Sequence, residues 1–235
     1  MNRSTSHKLR TGTMERRKLP TGSVEALRAA GVCGLLVLVT VGVGWIGGAL
    51  AQPDAYSSAD DDLSDLGALT ANKAWLYNQI GDNLTRILII LFGLGLWRAL
   101  SPDVLGRIGA GAVMLTGLGL FLEGFLRLDC RGIDSGCTNE SWHSSAHTMN
   151  NRFGVVATIA APLILAFAFR RIPEWRGAWL PSLAAVPAAL VLGVLFSVLG
   201  NGASVRATSL TLVAWLAFLA VRLIRTANAR RAQTE

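Results

Sequence analysis

Two runs without a charged residue, residues 29–53 and 177–205, constrain this chain more than any other feature. A helix rises about 1.5 Å per residue and crosses a hydrocarbon core roughly 30 Å thick in about 20 residues, so both runs exceed the needs of a soluble core helix. The chain is therefore expected to cross a membrane. Its 235 residues are 51% apolar, with the charge gathered between the apolar stretches. This is the profile of a multi-pass helical protein.

Six spans are predicted, at about residues 30–50, 73–100, 107–128, 141–169, 178–199 and 206–224. The fold class is all-α, an integral membrane bundle. Residues 1–28 are read as a disordered basic tail, 29–226 as the membrane domain and 227–235 as a second tail. Ala49-Leu50-Ala51 resembles a signal-peptidase site, which would make the first span a removed leader. The run is long enough to span, so a retained helix is expected.

The formal charge of +7 would suit nucleic acid if it formed one stripe interleaved with aromatics. Lys and Arg instead flank the apolar runs, and no nucleic-acid partner is expected. The chain termini and the loops near Arg98/Arg107 and Arg170/Arg171/Arg176 are basic, whereas the alternate loops carry most of the carboxylates. By the positive-inside rule both termini are cytoplasmic in a multi-pass protein of the cell membrane. Cys130 and Cys137 then share an outer loop in an oxidising compartment, where a disulfide is expected, and Cys33 inside the first span stays a thiol.

Ionisable residues inside apolar spans are expensive in lipid and normally face protein or a wet cavity. Asn78, Asp82 and Arg86 recur four apart on span two, Glu123 and Arg127 four apart on span three, and Arg206 opens span six. The polar run before Phe153 places His143, His147 and Asn151 on one helix face. All lie in the outer half, so one polar cavity is predicted to hold His147, Asp82, Arg86, Glu123 and Arg206. Ser64, Asp65 and Asp129 would close it from above.

Leu63-Ser64-Asp65-Leu66-Gly67 just before span two, Asn78 within it, Asp129 after span three, His147 opening span four and Arg206 starting span six occur in an order that resembles a known family. That family is labelled domain of unknown function 998, and the resemblance covers about residues 26–225. It implies a six-helix bacterial membrane protein and brings no activity with it. A weaker likeness is to the superfamily of alkaline ceramidases and progestin-type receptors, membrane hydrolases that hold zinc with Ser, Asp and His. Ser64, Asp129 and His143-x-x-x-His147 supply those residue types, but the third histidine usual there is missing.

Three chemistries fit these residues. Arg86, Arg127, Arg152 and Arg206 outnumber the acids of the band and would bind an anionic lipid head or lipid-like group through paired donors. Ser64, Asp65, Asn78, Asp82, Glu123 and Asp129 would complete that ligand site. His143 and His147 with a carboxylate, foremost Asp129, would hold zinc for a hydrolase acting on a lipid amide or ester. Asp82, Glu123 or His147 would otherwise serve acid–base catalysis without metal. Internal pairing of the same charges is the structural alternative to all three.

Overall fold

The computed structural model describes residues 21–232. Six helices are long and apolar enough to cross a membrane, and no strand occurs among the described residues. They are α1 (Thr21–Leu50), a π-helical segment (Leu76–Leu84) continuing into α2 (Thr85–Ala99), α3 (Val104–Phe121), α4 (Trp142–Arg171), α5 (Trp179–Phe196) and α6 (Asn201–Ala232). The predicted all-α class and the six spans are thus what the fold contains. Residues 1–20 of the basic tail and 233–235 lie outside the described residues. Residues 21–28, read from sequence as tail, are the first turns of α1, where Val24 and Leu27 are buried.

Each helix packs against its chain neighbours, and α6 returns to α1. At the end carrying Arg98, Arg170 and Arg171, here the basic end, Phe92, Leu96, Leu165, Phe169, Leu219 and Leu223 are fully buried. Trp175, on the short turn Pro173–Ala178, closes that end by stacking on Phe169 with ring centroids 5.0 Å apart. The other apolar face of each helix points away from the bundle. On α5, Leu190, Val191, Val194 and Leu195 are all exposed, as suits side chains solvated by lipid.

The opposite, acidic end is built of loops. Leu69 N donates to Leu128 O at 2.9 Å, joining the α1–α2 connection to the α3–α4 connection. Arg131 pairs with Asp134 at 2.6 Å and donates to Gln52 Oε1 at 3.0 Å. Cys130 and Cys137 form the expected disulfide, with Cα atoms 5.8 Å apart, and Cys33 is free. Asn201 and Ala203 at the start of α6 bond to Asp62 Oδ1 and Ala59 O at 2.6 and 2.7 Å, tying the acidic run to the bundle.

Two element boundaries differ from the sequence reading in ways that matter for the site. The third span was expected to run to residue 128 as one helix. It ends instead in a short 3-10 turn, Leu122–Gly124, so Arg127 does not continue the face of Glu123. The second span opens as a π-helix, and its Gly81 lies so close to α1 that a Cβ on Gly44 would be 2.3 Å from Gly81 Cα. Only a residue without a side chain permits that approach.

Candidate functional site

The Leu63–Gly67 turn is a lock between three elements. Leu66 is fully buried in a small apolar cluster with Leu63 and Tyr77, against which Trp45 packs. Gly67 O accepts from Asn78 Nδ2 at 3.0 Å and from Arg127 Nε at 2.8 Å, and Ala68 O accepts from Arg127 Nη2 at 2.6 Å. A Cβ on Gly67 would lie 2.4 Å from Asn78 Oδ1, so the turn requires glycine there. Asp65 is buried and accepts from Gly132 N at 3.2 Å. Burial pushes its carboxyl up to about 6, with Asp62, Asp61 and Asp134 adding to the rise and the Gly132 amide opposing it. Asn78 and Arg127, expected to bind a ligand, here hold backbone carbonyls. Ser64 sits half-buried on the same turn.

The histidines form a second group. Ser141 caps α4 by accepting from Ser144 N at 3.2 Å, and its own amide donates to Asp129 Oδ2 at 3.0 Å. That capping and the nearby His143 hold the Asp129 carboxyl below the usual carboxylate range, the bonds from Ser141 being the larger cause. His143 Nδ1 is 2.9 Å from Arg127 O, 3.0 Å from Ser141 Oγ and 3.5 Å from Asp129 Oδ1. His147 Nδ1 is 2.7 Å from Leu126 O. A carbonyl only accepts, so both rings donate through Nδ1–H to the chain just past the end of α3. The pair thus ties the first turns of α4 to the loop that follows α3.

A hydrolytic zinc site needs three protein ligands around one point. Among the described residues no group of three His, Cys, Asp or Glu side chains is placed to hold a metal ion. His143 and Asp129 do meet, through the nitrogen already bonded to Arg127 O. The residues present do not fit the zinc centre that the ceramidase likeness suggests.

The third group lies in the spans themselves. Asp82, Asn83 and Glu123 are 2%, 5% and 6% exposed, so each is more than nine-tenths buried. Arg86 Nη2 donates to Asp82 Oδ1 at 3.2 Å, the predicted pair. Asn83 Nδ2 donates to Gln79 Oε1 at 2.9 Å, and Asn83 lies against Gly124, next to Glu123. The π segment packs against the Leu122–Gly124 turn that carries Glu123. Yet Asp82 Oδ2, Asn83 Oδ1, Arg86 Nε and Glu123 Oε1 are buried without a hydrogen-bond partner. Buried polar atoms are nearly always bonded, and four exceptions at one helix junction are an unusual concentration.

Of the predicted set, Asp82 and Arg86 pair, and Glu123 lies on the turn that packs against the π segment. Arg206 is held apart by Tyr56 Oη and by Asp61 O, the latter at 3.1 Å. Asp65, Asn78 and Arg127 belong to the turn lock, and His143, His147 and Asp129 to the junction of α4 with the loop after α3. Asn83 and Tyr77 were not singled out from sequence. Asn83 is three residues from Arg86, but the sequence reading followed the spacing of four through Asn78, Asp82 and Arg86 and passed over it.

No curated protein and no solved structure matches this chain. The family described as "Protein of unknown function (DUF998)" matches residues 32–222, and the chain belongs to that family.

Proposed function

We propose that this multi-pass protein of the cell membrane binds the polar head of a lipid or lipid-like molecule at the junction of the π segment with the end of α3. The observation that carries the reading is the set of unpartnered atoms on Asp82, Asn83, Arg86 and Glu123. Leaving such groups unpaired in a span costs several kcal/mol by rough reckoning, and a chain under no functional demand would replace them with apolar side chains. The π-helix supports the same reading, because such segments occur frequently at functional sites. Arg127 and Arg206 donate elsewhere and Arg152 is exposed on α4, so Arg86 is the guanidinium at this junction left for the head group. The arrangement therefore favours a head that offers hydrogen-bond donors over the purely anionic group that the arginine count suggested.

Photo-crosslinking tests this. Full-length protein in bilayers containing lipid analogues with a diazirine near the head group should be labelled on residues 76–86 and 122–128, with labelling reduced in Asp82→Ala. Label confined to the exposed face of α5, or spread evenly over all six spans, would overturn the proposal.

A further inference from the structure

The unpartnered atoms also specify the charge of what they bind. The junction holds two carboxyl groups, Asp82 and Glu123, and one guanidinium, Arg86. That guanidinium pairs with Asp82 Oδ1, and Glu123 takes part in none of the ion pairs among the described residues. Three of the atoms without a partner, Asp82 Oδ2, Asn83 Oδ1 and Glu123 Oε1, are oxygens that accept, against a single donor, Arg86 Nε. We infer that the head group bound here is a primary ammonium, carried by an amphiphile or by a free amine; this rests on the lipid-head reading above.

The alternatives fail on inventory. A phosphate or carboxylate head brings only acceptors and negative charge to a site that is already rich in both. A trimethylammonium head brings the charge but no N–H. A neutral polyol satisfies the oxygens and leaves the excess carboxylate uncompensated in a low-dielectric span. An ammonium has three N–H donors and one positive charge, and the junction has three free acceptors and one carboxyl group in excess.

The test uses full-length protein in phosphatidylcholine nanodiscs, with retained adducts counted by native mass spectrometry. Dodecylamine, dodecyl phosphate and dodecyl glucoside are offered at equal concentration, with butylamine as a soluble competitor. Dodecylamine is expected to be retained at least tenfold over dodecyl phosphate, with the preference lost in Asp82→Asn and Glu123→Gln, which keep the side-chain shapes. Arg86→Gln, which removes the competing cation, should hold dodecylamine at least as well as wild type. Displacement by butylamine at equal concentration assigns the site to free amines, and resistance to it assigns the site to lipids. Carboxylate-dependent retention of dodecyl phosphate or dodecyl glucoside at or above the level of dodecylamine would overturn the ammonium and leave the lipid-head reading standing. Retention of all three that is indifferent to the variants would overturn both.

Discussion

Replacing Arg127 by alanine separates a clamp on the chain from a contact with ligand. Its guanidinium donates to Gly67 O at 2.8 Å and to Ala68 O at 2.6 Å. A hydrogen bond with one charged partner contributes about 1.5–3 kcal/mol. Gly67 O keeps the Asn78 amide in the variant, whereas Ala68 O loses its side-chain donor. Arg127 is half-buried, so solvent takes back part of the loss, and the low end of the range for both bonds gives about 3 kcal/mol. At roughly 2–4 °C per kcal/mol for a chain of this length, the melting temperature should fall by about 6–12 °C. Arg127→Lys, which can reach one carbonyl at a time, should lose about half as much. A heat ramp on purified full-length protein with a thiol-reactive dye reads this through Cys33, the thiol outside the disulfide. An alanine variant that melts with the wild type but loses lipid crosslinking would refute the clamp and return Arg127 to the ligand site.

Asp65 makes stability depend on pH in a definite direction. Its folded pKa of about 6 lies above the ordinary 3.8, so its contribution is fully present below pH ~4 and is lost as pH rises through about 6. Asp65→Asn, which can still accept from Gly132 N, should flatten melting temperature against pH across that window; an unchanged slope would rule out Asp65 as its source. Opening the Cys130–Cys137 ring with serine at both positions should cost about 2–3 kcal/mol on the chain-entropy account, read in the same heat ramp. Reporter fusions after Arg98 and Arg171 should read cytoplasmic and those near Asp61 and Gly136 external, and agreement of the Asp61 and Arg98 fusions would refute the topology.

The spans were legible because run length against bilayer thickness is a strong signal, and the Asp82–Arg86 pair because a spacing of four survives the local change of helix type. What misled was the identity of the partners. Asn78, Arg127, His143 and His147 all bond to main-chain carbonyls, of Gly67, Ala68, Leu126 and Arg127, and a carbonyl has no letter in a sequence. These residues therefore looked like ligand- or metal-binding groups, whereas they divide between the turn lock and the junction of α4 with the loop after α3. The early end of α3 was equally hidden: Glu123 and Arg127 keep helical spacing on paper while the chain between them has left the helix. Asn83 was passed over for a plainer reason: it lies off the spacing of four that joins Asn78, Asp82 and Arg86, and its neighbour Gly124 belongs to a turn whose position the sequence does not show.

The neighbour order also dictates when each contact can exist while the chain is being made. Successive helices can pair as they enter the bilayer, but α1 meets α6 only after the last span has been synthesised. Until then the stripe of α1 at Gly31 and Gly34 lacks Ile224 and Ala220, and α2 offers it Phe92 against Gly34. A ribosome stalled inside α6 would leave lipid to cover the rest of that stripe, and the nascent chain would offer membrane quality control an unclosed seam on α1.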